Sequence, residues 1–430
     1  MALYSQFFHA KAIEDLFSDR YLLAQMLQAE AALAKAQAEN GLFASQSADS
    51  IAKCCEVGLM DVEKIKNELP LGGNAVIPLV KQLTTRVAER DVEAAKYVHL
   101  GATSQDIVDT ATVLQIRDYL HWLTDKLADL ENILVALTQK YRQTPMAGRT
   151  LLQHATPIVF GSKTAAWLES ITRSKDRIKA GEQRLLVVQL AGAAGGGNAF
   201  MPSAVQRTFA QLLELGTAHA WHTQRDNLVA FSADLGILTG SLGKIATDVS
   251  LLMQTEVGEV FEGAAVGKGA SSTMPHKRNP VTCTAILANA HRTPFLVASM
   301  MAALPQEHER SAGLWHSEWP VLTEIMQLTG GAVARTIELL EGLEVDTNRM
   351  LQNLELTRGL IYAEQVSLAL AAQMGKAAAH ALVEKMVHAV NVGEVLNLAD
   401  VTSDVLSPAD ALARADETIN DILKRYAHKL

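Results

Sequence analysis

Proline spacing constrains this chain more than any other feature. No proline falls between Pro78 and Pro145 or between Pro202 and Pro275, and both gaps are rich in alanine and leucine, with apolar residues at three-four spacing. Such runs predict long helices. The first helix is expected after an N-cap at Ser18 or Asp19, ending at Gly41. Others are expected over 106–142, 159–184, 204–215, 227–254, 281–303, 318–341 and 348–374, with almost no claim for strands. The fold class expected is all-α. A helix of about thirty residues is roughly 45 Å long, which outruns a compact monomer. In the run LVAFSADLGILTGSLGKIATDVSLLM, from Leu228 to Met253, apolar and small residues occupy nearly the whole circumference, so this helix must be covered on all sides. Other subunits are expected to supply the cover; one thick intramolecular bundle is the alternative. Loop-like sequence suggests three domains: 1–105, 106–345 and 346–430, the last a small helical cap with Ser407 as N-cap and Pro408 opening its final helix.

Composition narrows the functions open to such a bundle. The 430 residues are 49% hydrophobic and 20% charged, with a net charge of −9, enough for a large core and unsuited to nonspecific attraction of nucleic acid or anionic lipid. Any anionic ligand must meet a local cationic cluster. Cys54 and Cys55 are adjacent and Cys283 stands alone, which gives neither a disulfide framework nor a CxxC clip and points to the reducing cytoplasm. The first twenty residues lack a basic n-region, an apolar core and a small-residue cleavage site, and carry charges at Lys11, Glu14, Asp15, Asp19 and Arg20, so no export signal is expected. The longest uncharged stretch, Leu185 to Gln206, is broken by Gly192, Gly195, Gly196, Gly197 and Pro202, so it is not read as a membrane span.

Three segments carry chemistry. In GKGASSTMPHKRNP, Gly267 to Pro280, two glycines precede Ser271, Ser272 and Thr273, and His276, Lys277 and Arg278 concentrate positive charge. A mobile anion-binding lid needs that combination, although a solvated basic turn shares it. Asn279 and Pro280 then read as N-cap and first helical residue, with helix N–H groups aimed at the same anion. In HLGATSQDIVD, Thr103 and Ser104 open a long helix, where a hydroxyl caps the helix or grips a carboxylate. In GRTLLQHATP, Arg149, Gln153 and His154 precede another; a lone histidine such as His154 is more often packed than catalytic. The glycine cluster at 191–198 lacks GxGxxG spacing, and Glu307-His308-Glu309 is too short for a metal site, so no metal and no cofactor are expected.

These segments, in this order and each entering a long helix, resemble the signature regions of the fumarase/aspartase superfamily, over nearly the whole chain. The loop signature GSSxMPxKxNP reads ASSTMPHKRNP here, with Ala270 at the first glycine. The resemblance implies a homotetramer with a central bundle of long helices and active sites each assembled from three chains. It implies Ser271 as the acid/base at carbon, and Lys277, Asn279, Thr103, Ser104 and Gln153 as carboxylate contacts. Ser272, His99, His154 and Arg310 are further candidates, although ion pairs with Glu307, Glu309 or Glu318 explain Arg310 and His316 nearly as well.

Two departures separate the branches. Members that expel an amine or hydroxide carry a histidine and a glutamate where this chain has Leu151 and Thr284, so the acid dyad that escorts a poor leaving group is missing. The segments AKYVHLGATSQDIVDT, WHTQRD, MQTEVGEVFE and QEHERSAGLWHSEW resemble instead a bacterial branch that closes a tricarboxylate into a lactone. There a carboxylate of the substrate adds across its own double bond and a proton is delivered to carbon. The alternative is β-elimination of the adenylosuccinate lyase kind, with His154 or His99 as a displaced acid.

Overall fold

The computed structural model describes residues 3–265, 268–269, 274, 276–391 and 408–427. Ser271, Ser272 and Ser407 lie outside the described residues.

The all-α class holds, and most predicted helices appear within a few residues of their expected ends. They are α1 (Asp19–Glu39), α2 (Ser104–Lys140), α3 (Phe160–Leu185), α4 (Ser203–Leu212), α5 (Asp226–Leu252), α6 (Val281–Ala302) and α7 (Leu314–Glu341). At the start of α1 the Ser18 hydroxyl accepts the Tyr21 N–H at 3.1 Å, which satisfies a donor the helix cannot. The helix expected over 348–374 is broken into α8 (Thr347–Glu355), a single 3-10 turn at Leu360–Tyr362, and α9 (Ala363–Met374). The break is at Gly359, whose φ of +87° no continuous helix tolerates. Helix α10 (Lys376–Asn391) and helix α11 (Ala409–Ala427) follow.

The near-absence of strands needs correcting at one place that matters. GRTLLQHATP is not a loop but most of an antiparallel hairpin, β1 (Pro145–Thr150) with β2 (Gln153–Val159). Its turn carries no Gly or Asn, the usual local signal. A second, minimal pair joins β3 (Val260–Phe261) to β4 (Glu344–Val345).

The chain divides into two compact units. The first draws on residues within 1–126, 174–240 and 288–334, the second on residues within 127–173, 241–287 and 335–430. In the first, Met26, Leu27, Leu33, Leu79, Leu83, Ile107, Leu114 and Phe209 belong to one extended apolar cluster. The second holds smaller ones, Val159 with Ala165 and Ile419, Val366 with Leu370 and Val383, and Ala147 with Leu354 and Ile361.

Helix α5 is apolar and long enough to cross a bilayer on those criteria alone, yet 56% of its most apolar window is buried within the chain. Beyond Asp226 at its start, what stays exposed is a stripe: Ala230, Ile237, Gly240, Lys244, Thr247 and Leu251. From Ile237 onward it alternates steps of three and four, the spacing of a helix seam that packs against another helix.

Candidate active site

In the first unit the helix start predicted to bind carboxylates is organised by a residue the sequence did not single out. Asp106, fully buried, accepts the Thr103 N–H at 3.0 Å, the Ala191 N–H at 3.0 Å, the Gly192 N–H at 2.9 Å and the His222 Nε2–H at 2.9 Å. Its carboxylate therefore caps α2 by reaching back to Thr103, an arrangement open to an acid at the third helical position. Neither hydroxyl is used as a cap. Thr103 Oγ1 accepts from Arg310 Nη2 at 2.8 Å, and Arg310 also donates to the Ala193 carbonyl at 3.0 Å. Ser104, half-buried, keeps its hydroxyl unbonded among the described residues.

Arg310 and His316 do not form the ion pairs that would have explained them. Glu307 instead accepts from Ser311 Oγ and the Ala312 N–H, Glu318 pairs with Arg225, and His316 meets the Gly73 carbonyl at 3.1 Å.

His99 has a positive φ of 56° and its Nδ1 lies 2.6 Å from the buried Glu30 carboxylate. Burial opposes its protonation, but the Glu30 charge and hydrogen bond prevail and raise its pKa above the usual value. The loop after it closes on the glycine cluster. Asn198 Nδ2 donates to the Gly101 carbonyl at 2.8 Å, and a Cβ at Gly101, where φ is +77°, would lie 2.8 Å from Asn198 Oδ1. The cluster at 191–198 is a turn, buried at Ala191 and Gly192 and mostly exposed beyond them, tied to the loop at Gly101 through Asn198.

Beneath this lies a second buried centre. Arg225 makes two bonds to Asp109, at 2.7 and 3.0 Å, and three contacts to Glu318 between 2.7 and 3.1 Å, with all three side chains at most 3% exposed. Asp109 also accepts from Trp315 Nε1 and Gln105 Nε2, both at 3.1 Å. Burial raises the Glu318 pKa despite the guanidinium beside it, and Asp109 adds to the effect.

In the second unit the hairpin presents Gln153 and His154. The pairing sets Thr150 opposite Gln153 and Arg149 opposite His154, and Arg149 is fixed by two bonds to the buried Glu259, at 2.9 and 2.7 Å. Asn353 Nδ2 donates to the same carboxylate at 2.7 Å. At the tip Leu151 and Leu152 have φ of +50° and +66° and are 97% and 75% exposed. A two-residue turn with both φ positive favours Asn-Gly, and each leucine here costs about 1–2 kcal/mol of backbone strain. The side chains of Gln153 and His154 make no hydrogen bond among the described residues. Burial, helped by the Arg149 charge, lowers the His154 pKa.

Of the lid, Lys277 and His276 are exposed. Arg278 is engaged, with Glu344 at 2.9 Å, the Glu262 carbonyl at 2.6 Å and the Phe261 ring at 4.8 Å. Asn279 donates from both its backbone N–H and its Nδ2 to the Gly269 carbonyl, each at 3.1 Å, and so draws the two ends of the loop together. The expectation that helix N–H groups beyond Pro280 face an anion in the lid is corrected. The carboxylate of buried Glu262 takes the Thr282 N–H at 3.1 Å and the Cys283 N–H at 2.7 Å, so those donors are already spent. Thr284 donates to the Pro280 carbonyl at 2.8 Å, and Leu151 carries nothing that ionises. Among the described residues no group of three or more His, Cys, Asp and Glu side chains is arranged to hold a metal ion.

A family model described as Lyase matches residues 8–294. The chain is 49% identical over 386 residues to the 3-carboxy-cis,cis-muconate cycloisomerase of Pseudomonas aeruginosa, covering 89% of this chain and 84% of that protein. It is 46% identical over 408 residues to the 3-carboxy-cis,cis-muconate cycloisomerase of Acinetobacter baylyi, covering 94% and 90%. The crystal structure of the 3-carboxy-cis,cis-muconate lactonizing enzyme from Pseudomonas putida superposes with a TM-score of 0.93 at 42% identity, over 99% of each chain.

Proposed function

The chain belongs to the fumarase/aspartase superfamily, and on that basis we propose that it is a cycloisomerase interconverting 3-carboxy-cis,cis-muconate and 4-carboxymuconolactone. The observation that carries the reading is the chemistry missing at positions 151 and 284. Leu151 stands at an exposed turn with no proton to give, and the Thr284 hydroxyl is bonded to its own helix. An amine or hydroxide leaving group needs an acid; a carboxylate is a far weaker base and departs alone. Relatives at 46–49% identity bear the name of a reaction in which the leaving group, read backwards, is a carboxylate.

In the lactonising direction a substrate carboxylate oxygen forms the new C–O bond. The π electrons move to the carbon bearing another carboxylate, which becomes a dianionic aci-carboxylate, and Ser271 delivers the proton that quenches it. Cations and N–H donors placed where that charge develops lower the barrier; Lys277, Asn279 and Thr103 are assigned there. Ser104, Gln153, His154, His99, Ser272 and Arg310 are assigned to the substrate's carboxylates. Because Glu262 occupies the helix N–H groups, the positive environment that makes Ser271 a usable base comes from Lys277 and His276. No cofactor enters the scheme.

The working assembly in this proposal is a cytoplasmic homotetramer with active sites shared between subunits. The exposed seam of α5 supports it, as do Phe295 and Met301 of α6, 69% and 50% exposed in the single chain. The three cysteines are free, as a reducing compartment keeps them.

The purified protein should bleach the diene absorbance of 3-carboxy-cis,cis-muconate and leave adenylosuccinate unchanged. Ser271→Ala should lower turnover by at least about a hundredfold with binding largely kept; near-normal turnover refutes the serine, and inert muconate refutes the reaction.

A further inference from the structure

Glu30 sits in the middle of α1, 1% exposed, and the side chain that meets it is His99, with Nδ1 at 2.6 Å from Oε1. No other side chain hydrogen-bonds this carboxylate among the described residues. A buried carboxylate is tolerated when its charge is answered, and an imidazole answers it only as imidazolium. Such a pair is a poor way to fill a core, since apolar residues of the same volume commonly do as well or better. His99 also holds φ at +56°, where a residue other than glycine is strained. Pair and strain together bring one ring to one place.

The ring is held on one side. Nε2 makes no hydrogen bond among the described residues, and 18% of the side chain remains open. The backbone of the same loop has its own anchor. Gln37, two turns further along α1 and fully buried, donates from Nε2 to the Leu100 carbonyl at 2.8 Å and to the Phe200 carbonyl at 3.0 Å. With Gln37 on the loop backbone, Glu30 is left with the imidazole. The charged side chains that act on the ring are Glu30 from α1 and Asp106 from α2, the latter bonded to His222. Burial and the Glu30 charge push the Cys55 thiol up, so it stays protonated and adds no charge.

We propose that Glu30 is a positioning residue for substrate binding: it holds His99 as a cation, with Nδ1–H taken up by Glu30 and Nε2–H offered to a substrate carboxylate. This rests on the assignment of His99 to the substrate under the proposed function.

Steady-state kinetics of the full-length protein on 3-carboxy-cis,cis-muconate test it. At about pH 7.5, Glu30→Gln should raise KM by about tenfold, the scale of one charge-assisted hydrogen bond, and leave kcat within about twofold. His99→Gln should raise KM by a similar factor. The double variant should stay within about twofold of His99→Gln, because Glu30 acts through that ring. As the pH falls to about 5.5, the KM of Glu30→Gln should return toward the parent's, since the amide still accepts Nδ1–H and the solvent supplies the proton. His99→Gln should show no return. A folding defect would not be repaired by acid, so the return separates the two causes. An unchanged KM in Glu30→Gln beside a raised one in His99→Gln, full additivity in the double variant, or no acid return overturns the role of Glu30 alone. A collapse of kcat in Glu30→Gln overturns it too, because the carboxylate would then hold more than a ring. An unchanged KM in His99→Gln overturns the assignment of His99, and a parent inert on muconate overturns the reaction; this proposal falls with either.

Discussion

The helix start around Asp106 and the hairpin around His154 use the same residue types to opposite ends. At Asp106 and Asp109 every carboxylate oxygen is met, by backbone N–H groups, an imidazole, a guanidinium and an indole, and all of it is buried. At the hairpin only the root is met, where Arg149 grips Glu259. Toward the tip come an imidazole and an amide with no hydrogen bond among the described residues, and two leucines in strained backbone facing outward. Saturated charge builds a scaffold that cannot shift without loss. Unsaturated donors beside strain are what a chain keeps where something else is to bind.

Breaking the scaffold should therefore have the largest effect. Arg225→Met leaves Asp109 and Glu318 buried and facing each other with no cation between them, and unfolding should cost about 3–5 kcal/mol less than in the parent. Arg149→Met removes a guanidinium that is 20% exposed and serves one carboxylate, so its loss should be clearly smaller. Denaturant midpoints at unchanged slope measure both. Equal losses would erase the distinction between the two regions.

What the sequence made legible divides along the same line. Helix spans follow from local spacing and capping, so α1 to α7 could be read from Ser18, the proline gaps and Asn279-Pro280. The lid and the segment at 99–109 are contiguous words, and their serine, threonine and lysine residues could be named. The partners of Asp106 could not, because Ala191, Gly192 and His222 are brought to it by packing over more than eighty residues of chain. Nor could the triad, since nothing local tells Arg225 to choose Asp109 and Glu318. The hairpin was missed for another reason: its turn breaks the local rule, with leucines where Asn-Gly belongs, so the only signal available pointed away from it. The chemistry most visible in sequence is that which the proposal assigns to the substrate; the buried networks around Asp106 and Arg225 are visible only after folding.

The strained turn offers a finer test. Replacing Leu151 and Leu152 by Asn and Gly gives the turn residues that accept positive φ, and the two leucines are too exposed to lose packing within their own chain. The two leucines together cost about 2–4 kcal/mol, and after glycine's extra freedom in the unfolded chain is subtracted the double variant should gain about 1–3 kcal/mol against unfolding, read as a higher denaturant midpoint. A lower midpoint would mean that the leucines are buried against another chain, and the hairpin tip would then count as saturated in the assembly. A gain in stability accompanied by slower turnover of 3-carboxy-cis,cis-muconate would instead show that the strain is retained for the site.

The smallest effect is the one that distinguishes the two regions by sign. The pKa of His99 is raised above its ordinary 6.5 in the fold, so its pairing with Glu30 stabilises fully below pH 6.5 and that contribution is lost as pH rises through the folded value. The pKa of His154 is lowered from 6.5, so its neutral form is the one the fold accepts, and stability is lost as pH falls from 6.5 through its folded value. The two contributions decline on opposite sides of the same pH. Midpoints measured from about pH 5 to 8, the range where histidine titrates, should flatten only on the alkaline side in Glu30→Gln and only on the acid side in His154→Gln. If Glu30→Gln flattens the acid side instead, His99 is not held as a cation by that carboxylate, and the saturated region loses one of its members.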